Sequence, residues 1–252
     1  MLNVILFGFG RAGVIHYNNM IKNKRINIKF IVDKVDITSK IKKTIKYVNF
    51  DNKEDIFSIL NDKSIHAVII ASPTNTHYEI INLSLNHYKH VFVEKPITEN
   101  KEEIENCFDL AKKCNLILFV GYNRRYDFAI EQIKKQISNN KIGFVNYALT
   151  ISRDYPYPDH KFLEKCGGIF HDCATHDIDY MNWILDDLPT SVYVNVPGNN
   201  NVENFNYEHV TINFKYSLGT IVCLNLSRFA SSYDQRCEFY GNNGEIINNY
   251  FK

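Results

Sequence analysis

Compact apolar runs of strand length alternate with helical segments along the first half of the chain. The apolar runs span residues 3–7, 28–32, 66–71, 90–93 and 117–120. Segments of helical periodicity lie between most of them, at residues 14–21, 55–60, 76–85 and 101–114. This alternation predicts a parallel sheet with helices on both faces. Ligands of such sheets bind beyond the carboxyl ends of the strands, so the residues that follow each apolar run are the candidates for chemistry.

The pattern changes after Gly121. Helical segments lie at 127–138 and from about Gly168 onward, and strand-like runs span residues 143–152, 191–196, 209–216, 219–226 and 237–240. Strands joined by short turns predict an α+β domain whose mostly antiparallel open sheet has one face covered by helix. We therefore expect two domains, a dinucleotide-binding domain at residues 1–121 and a domain for substrate binding and oligomerisation at residues 122–252.

The sequence Gly-Phe-Gly-Arg-Ala-Gly at residues 8–13 follows the first apolar run and begins a helical segment. This pattern between a strand and a helix is typical of a dinucleotide-binding turn, in which N–H groups at the helix start meet the pyrophosphate. Asp33, at the end of the second strand, is placed to accept hydrogen bonds from the adenosine ribose and to repel a 2′-phosphate. These features predict a doubly wound Rossmann domain that binds NAD. Lys34, beside Asp33, leaves NADP as the less favoured cofactor.

Composition excludes several classes of function. A net charge of +1, with 45% hydrophobic and 23% charged residues, describes an ordinary globular chain with no general affinity for nucleic acid or an anionic membrane. No stretch approaches the ~20 apolar residues of a membrane span, and the apolar start at residues 2–9 is predicted to be a buried strand. The six cysteines are scattered without metal-like spacing, which favours reduced thiols and a cytoplasmic location.

A run of acids and histidines follows the glycine pair at 167–168. Residues four apart share a face of an α-helix, so Asp172 and His176 are expected to point the same way. Taken alone, the pair fits either a base with an orienting carboxylate or an amphipathic helix with a solvated acidic edge. A third interpretation makes His171, Asp172, His176 and Asp177 a divalent metal site.

Lys95 lies between Glu94 and Pro96, directly after the strand at 90–93. Charges at a strand end are often only structural. The position at the ligand-binding edge of the sheet nevertheless favours a functional lysine close to the expected nicotinamide.

The chain resembles the Gfo/Idh/MocA oxidoreductase family from end to end. The resemblance rests on the glycine motif at 8–13, Glu-Lys-Pro at 94–96, Gly-Tyr-Asn-Arg-Arg-Tyr-Asp at 121–127, Ser-Arg-Asp at 152–154 and Gly-Gly…Asp-x-x-x-His at 167–176, with Tyr-Asp-Gln-Arg at 233–236 as a weaker addition. Glu-Lys-Pro and the Asp-x-x-x-His helix are specific to the family. The runs at 121–127 and 152–154 resemble its inositol-oxidising branch.

The resemblance implies NAD-dependent oxidation of a hydroxyl of a cyclic polyol or sugar to a ketone, with myo-inositol as the expected substrate. It gives Lys95 a hydrogen bond to the reacting hydroxyl, His176 the role of general base, and Asp172 the orientation of the ring. It implies cofactor contacts from Gly8, Phe9, Gly10, Arg11, Ala12, Gly13, Asp33, Ser72, Pro73, Thr74, Asn75, His77 and Glu94. The polar groups expected to bind the polyol are Asn123, Asp154 and Tyr233.

No metal is expected from this resemblance, and the expected assembly is a homo-oligomer, a dimer or tetramer, formed through the sheet of the second domain. Family members usually continue beyond the equivalent of residues 244–246, whereas this sequence stops at Lys252. We therefore expect a second domain that is shortened at its C-terminal end, in a fragment or a shortened paralogue.

Two other functions stay open. A related dehydrogenase could act on another sugar, because motifs do not fix the shape of a sugar pocket. A shortened chain could also be a non-catalytic dinucleotide-binding protein. The presence of Lys95, Asp172 and His176 together argues against that alternative, since a sensor needs no base.

Overall fold

The chain divides into two compact units, residues 1–121 and residues 122–252. The computed structural model describes residues 1–164, 166–197 and 207–249. Within these ranges, no helix combines the length and the apolar character needed to cross a membrane.

The first unit is built on a parallel sheet of six strands in the order β3-β2-β1-β4-β5-β6. The strands are β1 Leu2–Phe7, β2 Ile26–Asp33, β3 Lys46–Asn49, β4 Ala67–Ile70, β5 His90–Val93 and β6 Leu118–Val120. The helices are α1 Arg11–Met20, α2 Lys53–Asn61, α3 His77–Asn86 and α4 Lys101–Lys113, with short 3-10 turns at Thr38–Lys40 and Thr74–Thr76. The predicted doubly wound Rossmann sheet is confirmed, and the strand order reverses at β1, where such folds bind their ligands.

The central strands are continuous apolar runs because helices cover both faces of the sheet. In β1, Ile5 and Phe7 pack into one buried cluster, and the alternate residues Val4 and Leu6 pack into another. Strand β3 was not predicted, since it is a four-residue edge strand in which Val48 is the one buried residue.

The second unit is built on a sheet of six strands in the order β12-β11-β7-β10-β9-β8. The strands are β7 Val145–Arg153, β8 Pro189–Asn195, β9 His209–Tyr216, β10 Ile221–Ser227, β11 Asp234–Gly241 and β12 Gly244–Asn249. The helices are α5 Phe128–Ser138, α6 His160–Leu163 and α7 Thr175–Leu185, with a 3-10 turn at Asn123–Tyr126 and a π-helical turn at Phe170–Ala174. The prediction of a mostly antiparallel sheet is confirmed, although β7 and β10 pair in parallel.

Helices α5 and α7 cover one face of this sheet. Strand β9 shows the one-sided pattern, with Val210, Ile212, Phe214 and Tyr216 buried and the residues between them more exposed. The buried side chains pack with Met181 and other apolar residues of the helices in one hydrophobic cluster. Because β7 and β10 are parallel, their carboxyl ends lie side by side at one edge of the sheet.

Candidate active site

The loop between β1 and α1 is shaped by close backbone contacts. Gly8 has φ +89°, and a Cβ there would lie 2.5 Å from the amide nitrogen of Ser72. A Cβ on Gly13 would collide with the carbonyl oxygen of Gly8. Gly10 differs, because no atom lies within 4 Å of the place where its Cβ would be. The loop is therefore tight where strand and helix meet and open at the start of the helix.

The start of α1 is suited to an anion. Gly10 provides no side-chain cap, and no acidic residue stands in the first turn of the helix. The partial positive charge of a helix N-terminus and its N–H groups attract phosphate. Together with the open space beside Gly10, these features fit the pyrophosphate of a dinucleotide.

Asp33 fixes the glycine loop to the end of β2. Its Oδ2 accepts a hydrogen bond of 2.7 Å from the amide of Phe9, and its Oδ1 accepts one of 2.9 Å from the amide of Val35. A carboxylate has about four lone-pair sites, so these two bonds leave acceptor capacity for ribose hydroxyls. Asp33 thus shapes the loop in addition to the ribose contact predicted for it.

His77 joins the loops that follow β4 and β5. The side chain is 1% exposed, and its two ring nitrogens lie 2.9 Å from the carbonyl oxygens of Ser72 and Pro96. Ser72 Oγ lies 2.7 Å from Thr76 Oγ1, which donates to the carbonyl oxygen of Pro73. These bonds hold in place the turn that carries four predicted cofactor contacts, Ser72, Pro73, Thr74 and Asn75.

Glu94 and Lys95 lie directly after β5, at the ligand-binding edge of the sheet. Glu94 Oε1 lies 2.7 Å from Nε2 of His16 on α1, and Oε2 accepts a hydrogen bond of 3.3 Å from the Lys95 amide. Burial works to raise the pKa of Glu94, but the hydrogen bond and charge of His16, with the Lys95 amide, hold it below its ordinary value. Lys95 is half-buried, and its peptide bond to Pro96 is cis.

In the second unit, Asp172 and His176 lie on two different kinds of helix. Asp172 belongs to the π-helical turn Phe170–Ala174, and His176 belongs to α7, which begins at Thr175. The prediction of a single α-helical face is therefore corrected, because the i→i+5 bonds of a π turn change the angle between successive residues. Both side chains are half-buried, and π turns of this kind often occur at functional sites.

Asp172 lies among charged and sulfur-containing groups. Its Oδ2 lies 3.3 Å from the Arg228 guanidinium and 3.8 Å from Cys173 Sγ. Burial, together with the charge of Asp172, raises the pKa of Cys173 to about 12, so this thiol is neutral. Ligand atoms of Asp154, Asp172 and Cys173 lie within 4.8 Å of one another, the one such group of three in the part of the chain that the structure describes.

The metal ligand set considered from the sequence is not brought together. Asp177 is buried and accepts a hydrogen bond of 2.6 Å from Ser152, whereas the exposed His171 lies 2.9 Å from the carbonyl oxygen of Gly167. In the group that does form, Asp172 is already paired with the Arg228 guanidinium at 3.3 Å.

Tyr122 contacts the start of α7 beside His176. The two rings have centroids 6.3 Å apart and meet edge to face at 88°. The Tyr122 hydroxyl lies 3.3 Å from Thr175 Oγ1. The aromatic ring thus covers one side of the imidazole.

The arginines of the 121–127 run anchor this segment within the second unit. Arg125 forms two hydrogen bonds, of 2.8 and 2.6 Å, with the carboxylate of Asp179 on α7, and this bond raises the pKa of Arg125. Arg124 donates to the hydroxyl of Tyr233 at 2.7 Å. Asn123 is exposed at the start of the 3-10 turn. The geometry therefore fixes Tyr233 through Arg124 and leaves Asn123 on the surface.

Arg228 was missed by the sequence analysis. It is completely buried and bonded to Asp172, a candidate catalytic group. The sequence signal for Arg228 is its position directly after a strand. Residues at the ends of strands were considered as candidates for chemistry in the first domain and not in the second. The parallel pairing of β7 and β10 makes this rule apply to Asp154 and Arg228 as well.

Comparison with known proteins identifies the family. Residues 2–122 match the Gfo/Idh/MocA model described as an oxidoreductase family with an NAD-binding Rossmann fold, and residues 130–247 match the Gfo/Idh/MocA C-terminal domain. The chain therefore belongs to the Gfo/Idh/MocA oxidoreductase family, and its first unit is the NAD-binding domain.

Three proteins illustrate the similarity. The myo-inositol 2-dehydrogenase of Thermotoga maritima is 28% identical over 254 residues, covering 98% of this chain and 75% of the relative. The uncharacterized oxidoreductase YrbE of Bacillus subtilis is 30% identical over 248 residues, covering 95% and 71%. The crystal structure of scyllo-inositol dehydrogenase from Lactobacillus casei with bound NAD(H) and scyllo-inositol has a TM-score of 0.86 and 25% identity, covering 98% and 76%.

Proposed function

We propose that this protein, a member of the Gfo/Idh/MocA oxidoreductase family, oxidises a ring hydroxyl of a cyclic polyol to a ketone with NAD, and that myo-inositol is its substrate. The proposal rests on one observation above all. Lys95, Asp172 and His176 are all present in a chain similar to proteins named for the oxidation of inositols.

Bound NAD would supply the acceptor for the hydride that leaves the carbinol carbon. The protein must therefore remove the hydroxyl proton and stabilise negative charge on the oxygen. His176 takes the proton, because imidazole exchanges protons near neutral pH. The family resemblance gives the Lys95 ammonium a hydrogen bond to the reacting hydroxyl, whose developing charge it would stabilise.

The polyol ring needs several polar contacts to fix which hydroxyl reacts. In this proposal Asp172 accepts a hydrogen bond from one ring hydroxyl and Asp154 binds another, which is supported by the short separation of their carboxylate oxygens, within 4.8 Å. Asn123 and the Tyr233 hydroxyl supply the remaining polar contacts of the proposal. Arg124 donates to that hydroxyl at 2.7 Å, and this bond holds Tyr233 in position.

The residues of the first unit bind NAD. The loop from Gly8 to Gly13, through Phe9, Gly10, Arg11 and Ala12, would hold the pyrophosphate, and Asp33 would bind the adenosine ribose. The turn of Ser72, Pro73, Thr74 and Asn75, which His77 supports, would supply further contacts to the cofactor, as would Glu94. This assignment selects NAD over NADP, since the carboxylate of Asp33 repels a 2′-phosphate.

The second-unit sheet is the proposed surface of a homo-oligomer, a dimer or tetramer. The face away from α7 carries Tyr147, Ile221 and Tyr193, which are 36%, 48% and 67% exposed. Tyr147 is directly opposite Ile221 on the neighbouring strand, so these two side chains are adjacent on that face. Light scattering at several protein concentrations tests the assembly, and Tyr193→Glu is expected to shift it toward the monomer.

The function is tested by incubating purified protein with NAD and a panel of inositols and aldoses, followed by NADH absorbance. Lys95→Met and His176→Gln are expected to lose activity and keep NAD affinity. The matched controls are Lys101→Met and His160→Gln, which alter exposed residues of the same types. Both controls are expected to keep wild-type activity.

Each other function predicts a different result. A preference for an aldose would favour a related sugar dehydrogenase. NAD binding without turnover on any member of the panel would favour a non-catalytic dinucleotide-binding protein. Activity that is lost on chelation and restored by zinc would revive a metal site.

A further inference from the structure

Arg228 is the largest side chain that the structure buries completely, with an exposure of 0%. It follows β10 directly and lies outside every motif that identified the family. One guanidinium nitrogen lies 3.3 Å from Asp172 Oδ2 and 3.3 Å from Cys166 Sγ. A buried charge is retained only where a partner compensates it, so this contact with Asp172 has a physical reason to exist.

The sheet explains how the cation comes to lie there. Strands β7 and β10 end side by side, with Arg153 opposite Ser227. The Asp154 amide donates to the carbonyl oxygen of Ser227 at 2.9 Å, and the Arg228 amide donates to that of Glu208 at 2.9 Å. The one parallel pair among the described strands of this sheet therefore places Asp154 and Arg228 next to each other.

Arg228 also connects two points of the segment that carries Asp172. Cys166 precedes Gly167 and Gly168, which begin the helix, and Asp172 lies one turn further on. The Cys166 thiol donates to the carbonyl oxygen of Leu163 at 3.5 Å and accepts from Arg228. The guanidinium thus restrains the start of the helix and the carboxylate at the same time.

The charged and titratable groups around the guanidinium come from several elements. Asp172 and Cys173 lie on the π-helical turn, Asp154 follows β7, and Cys166 precedes the glycine pair. The backbone of Arg228 is bonded to Glu208, whose Oε1 accepts from Tyr157 at 2.7 Å. Burial and the bond to Glu208 raise the pKa of Tyr157 to about 12, so Tyr157 and Cys173 carry no charge beside the cation.

We propose that Arg228 is a positioning residue for the dehydrogenase reaction: its cation holds the Asp172 carboxylate in place and offsets the repulsion between Asp154 and Asp172. This proposal rests on the proposed function, since it gives Asp172 the task of accepting a hydrogen bond from the polyol ring. Two carboxylates this close repel each other, and removal of the cation favours the protonated form of one of them. A protonated Asp172 would lose acceptor capacity toward the substrate.

The test compares Arg228→Met, Arg228→Lys, Asp172→Asn and the double variant Arg228→Met/Asp172→Asn. Arg236→Met is the control, because Arg236 bonds to Asp234 on β11 and has no assigned role in the reaction. We expect kcat/KM for polyol oxidation to fall about 100-fold in Arg228→Met, because one lost charged hydrogen bond is worth about 1.5–3 kcal/mol. In Arg228→Lys, kcat/KM should be at least tenfold higher than in Arg228→Met. NAD affinity and the Arg236→Met control should stay within twofold of wild type.

Two readouts separate positioning from a merely structural role. In the Asp172→Asn background, Arg228→Met should cost less than threefold, because the two residues act through one contact. The acidic limb of the pH profile of kcat/KM should move to higher pH in Arg228→Met and stay in place in Arg228→Lys. Equal losses with and without Asp172, or an unchanged pH profile, would overturn the proposal.

A third readout requires no turnover. The carboxyl ¹³C shifts of labelled aspartate are followed against pH, with Asp172→Asn and Asp154→Asn assigning the signals. In Arg228→Met, a signal of this pair should titrate at higher pH than in wild type, and identical titrations would overturn the proposal. If Arg228→Met fails to fold, Arg228→Gln replaces it under the same criteria. A wild-type protein that turns over no polyol rejects the proposed function, while the ¹³C titration still decides the role of Arg228.

Discussion

The most quantitative prediction concerns Asp177, the buried neighbour of His176. The residue is 2% exposed, and its Oδ2 accepts hydrogen bonds of 2.6 Å from Ser152 and 3.5 Å from Thr150. Burial raises the pKa of Asp177 from 3.8 to about 6, although these hydroxyls and the charge of Arg124 work to lower it. Asp177→Asn removes the charge and keeps an oxygen that can accept from Ser152.

The magnitude follows from proton linkage. A folded-state pKa above the unfolded-state value means that protonation stabilises the folded form, and this stability is lost as the pH rises through about 6. The full penalty at high pH is about 3 kcal/mol, since each pKa unit corresponds to about 1.4 kcal/mol. About half of it, roughly 1.4 kcal/mol, is incurred between pH 5 and pH 8. The Asp177→Asn variant has no carboxyl group to ionise at this position and does not lose this stability. Its free energy of unfolding relative to wild type should therefore rise by roughly 1.4 kcal/mol from pH 5 to pH 8.

The assay uses the single tryptophan of the chain. Trp183 lies on α7 and packs against the core of the second unit, so its fluorescence reports the unfolding of that unit in urea. All other titrating groups are common to both proteins and cancel in the difference. A stability difference between Asp177→Asn and wild type that is the same at pH 5 and pH 8 would refute the reasoning. A fall in the free energy of unfolding of Asp177→Asn relative to wild type as the pH rises from 5 to 8 would also refute it.

Three further substitutions test other parts of the account. Asp33→Ala removes the acceptor of the glycine-loop amide and the carboxylate proposed to bind the ribose, and should raise the Kd of NAD about 10- to 100-fold, measured by fluorescence titration. The Kd of NADP should rise less, because the carboxylate that repels the 2′-phosphate is gone. Gly13→Ala should abolish NAD binding, since its Cβ would collide with the Gly8 carbonyl oxygen; wild-type affinity would contradict this. Arg125→Met breaks the two hydrogen bonds to Asp179. Because this pair is partly exposed, the variant should lower the free energy of unfolding by about 1–2 kcal/mol. Urea unfolding followed by Trp183 fluorescence measures the change. A change below 0.5 kcal/mol would show that solvent replaces the Arg125 pair.

The first domain was predictable because its signals are local. Each parallel strand is buried on both faces and is therefore a continuous apolar run, and the turn at Gly8 can hardly be made by another residue. The edge strand β3 lacks this signal, since it contributes one buried side chain.

The second domain was predictable in its strands and less so in their pairing. The alternation in β9 gives the buried face directly, but nothing in the sequence of β7 or β10 indicates that these two strands run parallel. That pairing sets Arg228 beside Asp154, and Arg228 bonds to Asp172 across 56 positions of sequence. A π turn likewise has no periodicity of its own over five residues, so the spacing of Asp172 and His176 suggested an uninterrupted α-helix.

Asp177 illustrates a related limit. In sequence it is one more acid in a polar run, with the appearance of a supporting or solvated group. The structure turns it into the core, against Ser152 on β7. Burial of a single polar residue depends on which face of the helix packs on the sheet. Apolar and charged residues alternate irregularly around Asp177, so the sequence did not predict which face that is.

The central claim is direct hydride transfer from a ring carbon of the polyol to NAD, with His176 as the base. It is tested most directly with myo-inositol that carries deuterium on the carbon to be oxidised, by mass spectrometry of the nicotinamide product. The account predicts NADH that contains the deuterium in wild type and no reduced cofactor in His176→Gln. Reduced cofactor without deuterium, or equal product from His176→Gln, would contradict it.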